Sequence, residues 1–241
     1  MTGWTQFALA YAVFLLAHMI PARPALRRRL AGWLGERAYL ALYSLVSILI
    51  LIWLFAAAAG APRLVLWHAP GWSYAALPLV MLAACLLVSS GAFARNPFSI
   101  AGRADGFDPE RPGIAGLTRH PVLWAFALWA SFHVIVTGTL AHTLLFGGFA
   151  AFALAGMLAL DRRAKRLAGD DWPHLSRRTS LLPLGALIRA KWRPDWPVDR
   201  MEMAGASVRL LAGLCLYALL AGLHAPVFGV NPFTRLTGLL P

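Results

Sequence analysis

Acidic side chains are scarce. The 241 residues hold ten Asp and Glu against 22 Lys and Arg, and no charged residue lies well inside a long apolar run. That absence removes the machinery for proton pumping or ion transport by buried carboxylates, which must sit at membrane depth. Cysteine is also nearly missing. Cys85 and Cys215 both fall within apolar runs and read as small packing residues. Two cysteines alone make no zinc or iron–sulfur site, and no disulfide between them is expected. No internal repeat stands out. No basic residue precedes the first apolar run, whereas Arg23, Arg27, Arg28 and Arg29 follow it, so a cleaved secretory signal is not expected.

Apolar length is what the chain has. With 59% hydrophobic residues, 13% charged residues and a mean hydropathy of +0.64, it is too apolar for an ordinary soluble domain. Ten Trp and sixteen Pro fit interfacial anchors and helix ends better than a β-barrel. Apolar runs at 4–20, 38–59, 74–93, 122–139, 142–160 and 206–223 are each about as long as a bilayer-spanning helix needs. The expected fold is all-α: a single polytopic membrane bundle of about six transmembrane helices. Short cytoplasmic surface helices are expected at 27–34 and 161–168, and a further apolar patch at 181–188. Pro78 is expected in the first turns of the third span.

The basic residues are placed unevenly. The connectors after spans one, three and five, counted with Arg209 in the first turn of span six, hold 20 of the 22, together with all ten acids, and only Arg63 and Arg235 fall in the opposite loops. The positive-inside rule then puts those three connectors, including the charged segment 161–200, in the cytoplasm and both termini outside it. The formal charge of +12 reads as this topology signal and as a surface for anionic lipid, not as a nucleic-acid footprint.

The centre of the chain is the stretch 113–183, a tight helical hairpin with charged collars on one side and Leu140 and Ala141 as its turn. It opens with Thr118-Arg119-His120-Pro121. Thr118 can cap the next helix and Pro121 suits its first turn. Either this is a charged helix start, or its N–H groups and Arg119 bind an anionic cofactor part such as a carboxylate. After the hairpin, Asp161 and Lys165 stand at i,i+4, and Gly169 suits a helix end. This stretch is either a solvated amphipathic helix or a lid at the inner membrane face, with Arg177 and Arg178 as anion ligands.

Histidines are the ionisable groups left at membrane depth. His133 falls about thirteen residues into the fourth span, between Trp129 and Thr137 one turn either side. An unpartnered ring there costs a few kcal/mol. A hydrogen bond to a neighbouring helix would satisfy it, and so would iron in a porphyrin. His18 lies near the cytoplasmic end of the first span, where it can cap the helix C-terminus. His120 and His133 are about 20 Å apart along one helix, too far to share a small site. His68, His142 and His224 fall in or beside the outer loops, and His174 lies in the charged stretch.

The segments AHMIPARP, LGERAYLALYSLVS, RNPFS, LTRHPVLWAF and LDRRAKRLAGDDW with RRTSLLPL together resemble the NnrU family over about the first 190 residues. The resemblance implies a bacterial inner-membrane protein associated with nitrite and nitric oxide reduction. It also implies a relation to plant 15-cis-zeta-carotene isomerases, which use haem b and an apolar substrate. From it follow haem b as cofactor and His18 and His133 as iron ligands, with Arg119 and His120 near the propionates. The position of the cysteine in the isomerase's redox switch is Ala130 here, so that switch does not carry over. The hairpin is also similar to isoprenylcysteine carboxyl methyltransferases, which implies S-adenosylmethionine as an alternative cofactor. A non-enzymatic factor that assembles denitrification reductases is the third reading.

Overall fold

The computed structural model describes residues 3–19, 24–92, 94–100, 102–194 and 200–234. Ile20 and Phe93, at the ends of two expected spans, and Arg23 and Arg235 of the charge count lie outside the described residues. The chain divides into two compact units, Met1–His68 with Thr137–Leu145, and Ala69–Val136 with Phe146–Pro241.

In the first unit, α1 (Gly3–Met19) packs on α3 (Glu36–Ala59). Trp4, Phe7, Tyr11, Phe14 and His18 recur every three or four residues and so share one helix face. Their rings meet in sequence, with centroid separations of 6.1, 5.7, 6.4 and 4.2 Å. Phe7, Ala10 and Phe14 are buried on α1, and Tyr39, Leu54, Ala57 and Ala58 on α3. The expected surface helix is α2 (Pro24–Leu34), whose Trp33 is 89% exposed. It ends before Gly35 at φ +82, and Arg27 pairs back to Glu36.

The second unit holds α4 (Gly71–Gly91), α5 (Ile114–Leu117) and most of α6 (Pro121–Thr137) and α7 (Leu140–Ala168). It also holds α8 (Trp172–Ser176), α9 (Gly185–Ile188) and α10 (Arg200–Phe228). Ala127 on α6 meets Ala153 and Met157 on α7 in a dry cluster sealed by Leu123, Trp124 and Leu181. Small residues let these helices approach closely. The same device joins α4 and α10, where a Cβ on Gly213 would stand 2.6 Å from Ser89 Oγ.

Among the described residues four helices are long and apolar enough to cross a membrane: Glu36–Ala59, Gly71–Gly91, Leu140–Ser176 and Arg200–Phe228. Pro121–Thr137 is a shorter apolar helix, and α1 has 17 residues. Their outer faces carry exposed Leu45, Leu49, Ile52, Phe152, Leu219 and Leu220. Apolar faces this extensive need lipid as their solvent. The chain is an all-helical, multi-pass membrane protein.

The structure redraws some boundaries. The hairpin turn is Gly138 and Thr139, not Leu140 and Ala141, because Gly138 takes φ +64 and stops α6. Residues 161–168 are not a separate surface helix. They continue α7 to Ala168, since no breaker precedes Gly169 at φ +52. α4 starts at Gly71, so Pro78 lies inside that helix. α10 runs past the expected end, so His224 is helical rather than in a loop, and its Nδ1–H donates to Val230 O at 2.7 Å.

Candidate functional site

The Thr118-Arg119-His120-Pro121 segment enters α6 through a set of buried hydrogen bonds. Thr118 is fully buried. Its hydroxyl donates to Leu181 O at 3.0 Å and accepts from His120 N–H at 3.3 Å, the anticipated role before a helix that starts at Pro121. Arg119 N–H donates to Ser180 O at 2.8 Å, and Trp124 Nε1–H to Leu181 O at 2.9 Å. The buried Asn96, from the RNPFS motif, donates to Arg119 O at 3.0 Å and accepts from Phe98 N–H at 3.0 Å. The segment is therefore fastened from two sides by main-chain bonds that no sequence spacing announces.

Arg119 and His120 do hold a carboxylate, and it belongs to Asp161. Arg119 grips it with two hydrogen bonds, Nε to Oδ1 at 2.6 Å and Nη2 to Oδ2 at 2.9 Å. His120 Nε2–H donates to the same Oδ1 at 3.2 Å. Arg119 Nη1–H also reaches Thr179 Oγ1 at 3.2 Å, and its guanidinium lies 5.5 Å from the Trp172 ring centroid. The side chains of Arg119, His120 and Asp161 are 11%, 0% and 20% exposed. Asp161 follows the apolar part of α7. Burial alone would raise its carboxyl, but the His120 and Arg119 hydrogen bonds and charges outweigh that and hold it at about 2. The expected i,i+4 pairing with Lys165 is not what holds Asp161. The planar guanidinium fork fits a carboxylate better than a flexible ammonium does. His120 Nδ1 is buried and has no hydrogen-bond partner among the described residues.

Arg177 and Arg178 are also already engaged. Both pair with Glu110, and Arg178 Nη1–H donates to the Glu110 carbonyl at 2.9 Å. They tie the loop after α4 to the segment after α8 and are not unspent anion ligands.

The other two candidate histidines are in different units. In the first, His18 Nδ1–H donates to Phe14 O at 2.9 Å, and its ring stands 4.2 Å from Phe14 and 6.3 Å from Tyr43. In the second, His133 Nδ1–H donates to Trp129 O at 2.7 Å, with ring centroids 5.3 Å from Trp129 and 4.8 Å from Phe146. A carbonyl can only accept, so each bond puts the proton on Nδ1 and the lone pair on Nε2. Both rings are half-buried among aromatic side chains. Among the described residues no group of three or more His, Cys, Asp or Glu could hold a bare metal ion.

Two of the cavities in the second unit lie near the Thr118-Arg119-His120-Pro121 segment. One, of about 480 Å³, borders the Arg119–Asp161 pair and is lined by Lys165, Trp172, Ser180, Leu182, Arg189 and Lys191 among others. The second, of about 410 Å³, is lined by Ile114, Leu117, Leu187, Trp192 and Arg209 among others. Neither is lined by His18 or His133.

The family model described as NnrU protein matches residues 6–232. The chain belongs to the NnrU family. It is also similar to the chloroplastic 15-cis-zeta-carotene isomerase of Arabidopsis thaliana, 29% identical over 79 residues. That match covers 33% of this chain and 22% of the isomerase. No solved structure matches. The family match takes in both histidines, the Arg119–Asp161 clasp and both cavities.

The strap between the two cavities, residues 181–194, depends on one close approach. Trp192 lies on Gly116 of α5, where a Cβ would stand 2.3 Å from the indole ring. Gly116→Ala is expected to push the ring aside and cost about 2 kcal/mol, the usual scale of overpacking. A lowered unfolding temperature in detergent, with an altered tryptophan emission spectrum, checks this. Unchanged stability would mean that the strap does not seat on α5.

Proposed function

We propose that this NnrU-family protein binds haem b, with the imidazoles of His18 and His133 as iron ligands, and serves nitrite and nitric oxide reduction in the bacterial inner membrane. The observation that carries the reading is the state of the two rings. Each hydrogen-bonds its Nδ1–H to a backbone carbonyl and so keeps its lone pair on Nε2. Metal-binding imidazoles are usually fixed in this way, because the second hydrogen bond sets both tautomer and ring orientation. The aromatic side chains around them suit a flat apolar macrocycle. Bound haem b would supply a redox-active iron. The chain's own contribution is to fix the two rings and keep water from them. Arg119 and His120 act through Asp161, by anchoring the start of the helix that carries His133.

Membership of the NnrU family supports the denitrification role. The similarity to a carotene isomerase supports a second reading, isomerisation of an apolar substrate. In that reading Ala130, fully buried one turn before His133, stands where the isomerase's switch has cysteine. The charge pattern supports six crossings with both termini in the periplasm and the charged loops in the cytoplasm.

The test is the visible spectrum of the protein purified in detergent from haem-replete cells. The expected result is a Soret band in the wild type that is lost or shifted in His18→Ala and in His133→Ala, with both variants still monodisperse. A colourless wild type that added haemin does not change would overturn the reading. So would two variants that keep the wild-type spectrum.

A further inference from the structure

The cavity beside the Arg119–Asp161 pair carries more positive charge than the described residues neutralise. Among the described residues four cations line it, Arg119, Lys165, Arg189 and Lys191, against one carboxylate, Asp161. Asp161 is fully committed to Arg119 and His120. Lys165, Arg189 and Lys191 form no ion pair among the described residues. Three like charges around one small space repel each other unless something anionic joins them. The backbone gathers them there nonetheless. Arg189 and Lys191 flank Ala190, which holds φ +54, a conformation that non-glycine residues keep only where the surrounding structure enforces it. Lys191 N–H donates to Ala186 O at 2.8 Å, and Ala190 N–H to Leu187 O at 2.9 Å, which closes that turn.

We propose that this cavity binds the phosphate group of an anionic membrane lipid. A carboxylate brings one charge and would leave two of the cations unanswered. A phosphate brings several acceptor oxygens, and a phosphomonoester brings a second charge at neutral pH. Lysine suits it as a point charge and arginine as a planar fork. Lipid is favoured over a soluble phosphoester by the apolar residues beside the cations. Leu182 and Ile188 are 56% and 79% exposed, and exposed leucine next to lysine and arginine is the composition of a segment at the headgroup–acyl boundary. S-adenosylmethionine fits less well, because its ammonium and sulfonium need free acid groups and Asp161, the one carboxylate among the described residues lining the cavity, is taken. This site is independent of haem and stands or falls separately from it.

The experiment uses the full chain in phosphatidylcholine nanodiscs and measures unfolding temperature and native mass spectra as phosphatidic acid or phosphatidylglycerol is added. The wild type should bind both and unfold at a higher temperature, with phosphatidic acid the tighter ligand because its phosphomonoester carries the second charge. Lys165→Gln/Arg189→Gln/Lys191→Gln should weaken binding by about tenfold or more. Arg28→Gln/Arg29→Gln, which removes surface charge from α2, should bind like the wild type. Equal loss in both variants would reduce the effect to net charge and overturn the site. So would a triple variant that binds normally, or competition by S-adenosylmethionine. Inorganic pyrophosphate is the soluble probe: failure to compete supports the lipid, and displacement of lipid by pyrophosphate at low concentration overturns it in favour of a soluble phosphoester.

Discussion

Asp161→Ala should be among the most damaging single substitutions in this chain, costing about 3–5 kcal/mol. The variant strands the Arg119 guanidinium, 11% exposed, with Thr179 as its remaining side-chain acceptor. It also removes the acceptor of His120 Nε2–H, in a ring whose Nδ1 has no hydrogen-bond partner among the described residues. The sign with pH follows from the depressed carboxyl. Stability from the ionised form is fully present above the ordinary value of 3.8 and is lost only as pH falls through about 2. The loss in Asp161→Ala is therefore complete at neutral pH. Asp161→Asn, which keeps the shape and one acceptor, should lose less. Arg119→Leu/Asp161→Leu should recover part of the deficit, because removing both charges leaves no stranded ion. Glu36→Gln breaks a pair whose side chains are 51% and 54% exposed and should cost less than about 1 kcal/mol. Thermal unfolding of the four variants in one detergent checks the ranking. Equal losses for Asp161→Ala and Glu36→Gln would show that the buried clasp is not what holds α6 and α7 together.

Gly138→Ala should cost about 3 kcal/mol. Two separate effects add. The residue holds φ +64, which an L side chain adopts only at a cost. Its new Cβ would also stand 2.1 Å from Trp67 O, a backbone atom that no rotamer change can move. The hairpin turn is fastened at this point: Gly138 O accepts from Leu66 and Trp67 N–H at 2.8 and 3.2 Å, and Leu140 N–H donates to Leu64 O at 2.8 Å. Gly147, inside α7 with nothing within 4 Å of an added Cβ, is the contrast. Gly147→Ala should stabilise by up to about 1 kcal/mol through helix propensity. Faster proteolysis around residues 62–68 in Gly138→Ala, absent in Gly147→Ala, would locate the damage. A Gly138→Ala protein as stable as wild type would rule out this fastening.

Some structure was legible because its cause is local. The ring stripe of α1 follows from three-and-four spacing. α6 starts where Thr118 and Pro121 suggest, and α7 stops at Gly169. An anion held by Arg119 and His120 was also legible, but which anion was not. Asp161 lies about forty residues downstream and reads locally as a partner for Lys165. Arg177 and Arg178 mislead in the same way, since Glu110 belongs to a distant loop. Lys165, Arg189 and Lys191 gave no signal as a set. Their spacing fits no motif, and only the turn at Ala190 puts the last two beside α7.

Composition and the length of the apolar runs alone determine that this chain is helical and that it lies in lipid. Those properties depend on the transfer of short segments from water to hydrocarbon, and a segment's transfer energy is set by its own residues. Only the tertiary structure decided which charges neutralise one another and which are left to face a cavity. An ion pair depends on the separation of two groups in space, and sequence distance does not measure that.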